Sequence, residues 1–179
     1  MAMTVIHATD PTTQALTHLY EERDDVACRL TETATNGDVV RAIRDADSLM
    51  MLGHGNEYGL FSTPDSSGRY ERLLVSGRHV EFLRQKQCIA IWCHADEFAR
   101  RYGLHGLFSG MIISEMEEAA LYGISTTKEE LDEELHQFAR HLAFCINHYE
   151  LEEVPEKMKA LDEKRSPLTS FNYERLFWL

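Results

Sequence analysis

The chain has no apolar run approaching the roughly 18 residues that a membrane-spanning helix needs, so its sequence predicts no such helix. Its opening, "MAMTVIHATDPTTQ", carries neither the basic region nor the long apolar core of a secretion leader, and the cytoplasm is the expected location. Cysteine is sparse and unpatterned. Cys28, Cys88, Cys93 and Cys145 form no C-x-x-C pair, and in a cytoplasmic chain they are expected as reduced core residues, with a special role for at most one. Positive charge is short: 18 Lys and Arg stand against 30 Asp and Glu, for a net charge of −12. Nucleic acid and acidic membrane surfaces require clustered Lys and Arg, so neither is an expected partner. No linker, repeat or low-complexity stretch divides the 179 residues. They read as one domain over 1–179, long enough to bury roughly two-thirds of its unfolded surface.

What is present is an alternation of strand and helix patterns. "MTVIHA" reads as a first strand closed by Asp10-Pro11, and Thr12 to Glu22 as a helix with Ala15, Leu16, Leu19 and Tyr20 on its apolar side. "VACRLTE" suits a second strand. Asn36-Gly37-Asp38 marks a turn and cap before a helix carrying Val39, Val40, Ile43 and Ala46. "SLMMLG" is a continuous apolar run of strand length, as expected for a parallel strand covered on both faces. "YGLFS" and "YERLLV" around "TPDSSG" predict a hairpin. Ser76 is a candidate N-cap for "GRHVEFLRQK", with Val80 and Leu83 buried. Cys88 to Trp92 form another apolar strand, "DEFARRYGLHG" a short helix with a glycine stop, and "LFSGMIIS" a further buried strand. Thr126 with Glu129, and Thr127 with Glu130, have capping-box spacing. They precede a long amphipathic helix marked by Leu131, Leu135, Phe138, Leu142, Ile146 and Tyr149. A helix over Lys157 to Lys164 and a docked aromatic segment, "FNYERLFWL", complete the pattern. The alternation predicts an α/β fold: a three-layer αβα sandwich around a mainly parallel central sheet.

In such sheets reactive groups sit just beyond the carboxyl ends of the strands. Two apolar strands here end in one: "DSLMMLGHG" at His54 and "IAIWC" at Cys93. A free thiol is only about 3% thiolate at pH 7, and the thiolate is the nucleophile. An imidazole beside it can accept the proton, a form of assistance worth roughly 10² to 10⁴ in rate. Gly55, lacking a side chain, lets its backbone N–H approach a reacting carbonyl; with the N–H of Cys93 it would form an oxyanion hole, where one donor is worth about 3 to 4 kcal/mol.

"LMMLGHG", followed 39 residues later by "IAIWCHAD", with a hairpin and a helix between, resembles the caspase-like cysteine peptidases. That group also holds the metacaspases, gingipains, legumains, separases and CHAT domains. "GHG" and "CH" look most like metacaspases, whereas "GLFSGMIISEMEEAALYGI" is more similar to CHAT domains. The resemblance spans Met3 to Ile124. It implies a caspase-like fold, a peptide or protein substrate, a Cys-His dyad of Cys93 as nucleophile and His54 as general base, Gly55 in the oxyanion hole, and no cofactor. It departs from the family at Ile91, where many members carry a polar residue, and at Ala95-Asp96, where a small glycine is common.

Other readings stand beside this one. Cys88 and Cys145 are expected in the core, and His105-Gly106 at the amino edge of the sheet. Cys93, His94, Asp96 and His54 lack zinc-ligand spacing, so no metal is expected. Asp96 and Glu115 lie just past strand ends, where they could receive a basic substrate group; Asp96 could equally cap the following helix. The expected function is that of a cysteine endopeptidase. The alternative is a catalytically inactive caspase-like module that binds a partner through an exposed patch around Phe171, Tyr173, Phe177 and Trp178. Homodimerisation is open under either.

Overall fold

The computed structural model describes residues 2–63, 69 and 72–179. Six strands build the main sheet: β1 (Met3–His7), β2 (Val26–Leu30), β3 (Ser48–Leu52), and, after a small antiparallel sheet of β4 (Gly55–Asn56), β5 (Gly59–Phe61) and β6 (Leu73–Ser76), the strands β7 (Gln87–Ile91), β8 (His105–Ser109) and β9 (Leu176–Trp178). Their order is β2-β1-β3-β7-β8-β9. Every pairing is parallel except β8 with β9. The inner strands are mostly apolar because both of their faces are covered: β1 is buried at all five positions, Thr4 and His7 included, and β3 and β7 at four of five. The outer strand β2 alternates in exposure instead.

Helices fill both faces, which makes three layers. On one side lie α1 (Asn36–Asp45), α2 (Val80–Leu83) and α3 (Ala95–Tyr102), contributing Val39, Ile43, Leu83 and Phe98 to the core. On the other lie a 3₁₀ segment over Gln14–Leu19, α5 (Lys128–His148) and α6 (Val154–Leu161), bringing Leu19, Phe138, Leu142 and Met158. Each such side chain stabilises the fold by about 1.5–3 kcal/mol through burial. A third cluster of Ile113, Ala119, Leu131 and Leu168 joins α4 (Met116–Leu121) to α5 and α7 (Pro167–Tyr173). Among the described residues no helix is long and apolar enough to cross a membrane.

Several local expectations shift. The segment after Asp10-Pro11 is 3₁₀ rather than α-helical. Its threonines hydrogen-bond locally, Thr13 Oγ1 to Asp10 Oδ1 and Thr17 Oγ1 to Gln14 O, and i→i+3 bonds such as Leu16 N–H to Thr13 O tighten the turns. The cap of α1 is Thr35, one residue before the expected turn, in a reciprocal box with Asp38 (3.0 and 3.2 Å). α3 begins at Ala95, so Asp96 lies inside its first turn rather than capping it. The eighth strand ends at Ser109, before "MIIS". The chain leaves the sheet there, and the Asn172 amide takes over the backbone pairing of Ile113, accepting from its N–H at 2.8 Å and donating to its carbonyl at 3.1 Å. Helix α6 spans Val154–Leu161, earlier than the expected Lys157 to Lys164. The expected hairpin is seen as β5 paired antiparallel with β6; most of its turn, Pro64 to Gly68, and Tyr70 and Glu71 lie outside the described residues.

Candidate active site

The crossover from β1 runs outward to β2, whereas that from β3 runs the other way to β7. The carboxyl ends of β1 and β3 therefore flank the topological switch point, where open α/β sheets place their ligands. His54 follows β3 at that point, and Cys93 follows β7, the next strand across the sheet. Leu52 and Ile91 are register partners at the ends of β3 and β7, and Gly53 N–H extends the ladder by donating to Ile91 O at 3.1 Å.

The backbone on each side is tightly specified. Gly53 has φ +140°, a conformation open to glycine, and an added Cβ would lie 3.3 Å from Ala8 O. His54 O accepts from Phe61 N–H at 2.8 Å. Gly55 faces Leu60 as a non-hydrogen-bonded pair, which directs its N–H away from that ladder. A Cβ on Gly55 would overlap both the Trp92 ring and Gly59 O. Trp92 is locked by Ser109, whose Oγ accepts from its N–H (3.0 Å) and donates to its carbonyl (2.8 Å), and by its own indole N–H, which donates to Asn56 O at 3.1 Å. Cys93 follows, and His94 adopts the left-handed conformation (φ 67°, ψ 28°) before α3 starts. Strained non-glycine backbone of this kind clusters at functional turns.

His54 and Cys93 line one cavity of about 40 Å³ together with Thr12, Ile112, Leu135 and Phe138. A water needs on the order of 10–15 Å³ of such space, so the cavity proper holds a few waters, and Cys93 itself stays partly exposed. Ala15 and Leu16 of the 3₁₀ segment and Leu135 and Phe138 of α5 line it as well. The Cys93 thiol donates to Ile112 O at 3.5 Å. Burial pushes this thiol up to about 12, and the Glu118 and Glu115 carboxylates add to the rise. For His54, burial works to lower the pKa, but the hydrogen bond and charge of Asp10, with Glu115 and Glu118 behind, outweigh it and raise the value.

Asp10 and Thr12 are the residues that sequence reasoning missed. Asp10 Oδ2 lies 3.2 Å from His54 Nε2, with both side chains little exposed (14% and 12%). Thr12 Oγ1 lies 2.6 Å from the same nitrogen. Burial would raise the Asp10 carboxyl, yet His54 and the Thr12 and Thr13 donors hold it well below the usual carboxylate range. The available signal was Asp-Pro-Thr-Thr directly after a buried strand, an Asx-turn at the reactive edge of the sheet.

The remaining candidates are placed differently. Gly55 lies beside the cavity wall, against Trp92, and is not part of the lining. Glu115 caps α4, and its carboxyl is raised by burial and by Glu118; it acts on the site through its charge and does not line the cavity. Asp96 is also outside the lining, 3.7 Å from Arg100 in α3. His105 starts β8 at the amino edge, and Gly103 terminates α3. Cys88 and Cys145 are buried. Among the described residues no group of three or more His, Cys, Asp or Glu is arranged to hold a metal ion. Comparison with known proteins finds no family model that matches the chain and no curated protein that matches its sequence.

Proposed function

We propose that the protein is a cysteine hydrolase of caspase-like type that cleaves peptide bonds with Cys93 as nucleophile and His54 as base. The observation that carries this reading is the convergence of both side chains on one cavity at the carboxyl edge of adjacent parallel strands. The strained turn at His94, which presents Cys93 between strand and helix, supports it further. In the reaction His54 takes the thiol proton and the sulfur attacks the substrate carbonyl, forming a C–S bond as the carbonyl electron pair moves to oxygen. In this reading the oxyanion rests on the backbone N–H of Cys93, which lines the cavity, with Gly55 outside the lining beside its wall. Collapse breaks the C–N bond and the leaving amine takes the proton from His54; water, deprotonated by His54, then attacks the thioester, the C–S bond breaks to release the acid, and His54 returns the proton to the Cys93 sulfur. The raised thiol describes a protonated resting form, which His54 deprotonates as the attack proceeds.

A second reading, a catalytically silent module that binds a partner, is favoured by the small cavity and the raised thiol. The aromatic patch offered for it is largely occupied: Tyr173 is buried, Phe177 pairs with Phe108 across β8 and β9, and Trp178 alone of the four is exposed. Alkylation by iodoacetamide, read by mass spectrometry, separates the two. The hydrolase requires Cys93 to react at least tenfold faster than Cys28, and Cys93→Ala to abolish cleavage of a mixed peptide library. Equal alkylation of the two cysteines, with no peptide cleaved, leaves the binding module.

A further inference from the structure

We propose that Asp10 is the positioning residue of this site: it fixes the proton of His54 on Nε2, so that the lone pair of the neutral ring lies on Nδ1. The proposal rests on the hydrolase reading only for the thiol that His54 serves.

The argument is one of proton placement. Asp10 Oδ1 accepts from Thr12 N–H (2.9 Å), Thr13 N–H (3.0 Å), Thr12 Oγ1 (2.8 Å) and Thr13 Oγ1 (3.2 Å). Those four donors pin the carboxylate, and its second oxygen, Oδ2, is the one that meets His54 Nε2 at 3.2 Å. The Thr12 hydroxyl has a single proton, given to Asp10 Oδ1. Towards His54, at 2.6 Å, it can then only accept. Both contacts at Nε2 are thus satisfied by an N–H and by nothing else. A bare nitrogen there would set its lone pair against the carboxylate and take the hydroxyl proton away from Asp10. In the neutral ring the lone pair therefore lies on Nδ1, the basic form needed for proton transfer. When the ring gains its second proton, the imidazolium sits 3.2 Å from a carboxylate, which stabilises the charged form. A carboxylate that selects the tautomer of a catalytic histidine and stabilises its imidazolium has a large effect in other hydrolases; losing it there costs about 10⁴ in rate.

Imidazole ¹⁵N chemical shifts of His54 across a pH titration test this in the wild-type protein. The expected result is an Nε2–H tautomer that titrates above the ordinary value of about 6.5. An Nδ1–H tautomer, or titration below that value, overturns the proposal without any variant. Asp10→Asn should then lower the His54 transition, and slow Cys93 alkylation at pH 7 tenfold or more. Asp10→Glu should restore part of both, and Thr12→Val should produce a smaller change. An unaltered His54 titration in folded Asp10→Asn also overturns it. The two proposals fail separately. If Cys93 is no more reactive than Cys28 while the tautomer is as expected, hydrolysis falls and the role of Asp10 in holding His54 stands. If Cys93 is reactive but indifferent to Asp10, the positioning role falls and hydrolysis stands.

Discussion

Burial raises three thiols alike: Cys88 and Cys93 to about 12 and Cys145 to about 11. Titration alone therefore does not single out Cys93; its place does. Cys88 lies in β7 and Cys145 in α5, whereas Cys93 stands beyond its strand and shares a cavity with an imidazole. The glycines around His54 are equally positional. Gly55→Ala would drive a methyl group into Trp92, and overpacking of this kind costs about 1–3 kcal/mol. Urea denaturation should show that loss, and the emission of buried Trp92 should shift, while the circular dichroism of the folded state is retained.

At the level of elements, the inner strands were legible because coverage on both faces demands unbroken apolar runs, and "SLMML" and "QCIAI" obey it. The amphipathic helix α5 was legible from its period and from the cap at Thr127, whose side chain accepts from Glu130 N–H. The 3₁₀ segment was not, because local threonine bonds compete with a helical pattern that its apolar spacing otherwise fits. Nor was the wall of the cavity. Amphipathicity says which face of α5 is buried but not that Leu135 and Phe138 line a cavity with His54. Asp10 stayed hidden for a similar reason: its partner is 44 residues away in the chain, and only the strand order brings the two ends together. Helix α7 matters to the same region through Asn172. In Asn172→Ala, the buried Ile113 N–H and carbonyl lose their partners. Each unsatisfied group costs about 1–3 kcal/mol, so chemical denaturation should show a loss of about 2 kcal/mol or more.

For the molecule as a whole, His7 is expected to contribute to the first loss of stability in acid, beside His79 and His141, which burial also lowers. The ring is buried under β1, Nδ1 meets Tyr20 Oη at 3.0 Å, and Nε2 has no hydrogen-bond partner among the described residues. Burial lowers its pKa to about 4, against smaller opposing effects of Asp10 and the Thr13 backbone. The neutral ring is the folded form, so its contribution is complete above about 6.5 and is lost as pH falls towards about 4, a change of about 3 kcal/mol. His54 acts in the opposite sense, its raised value favouring the fold below about 6.5 and giving that up as pH rises through it. Unfolding free energies at pH 7, 5.5 and 4.5 should fall steeply in the wild type and more gently in His7→Phe; parallel slopes would remove His7 as the cause. The cavity also has an order in time. The chain is made from its amino end at about 5–20 residues per second, so His54 and Cys93 leave the ribosome several seconds before Leu135 and Phe138. A nascent chain thus carries His54 and Cys93 before the α5 residues that line their cavity have emerged, and the cavity is complete only late in synthesis.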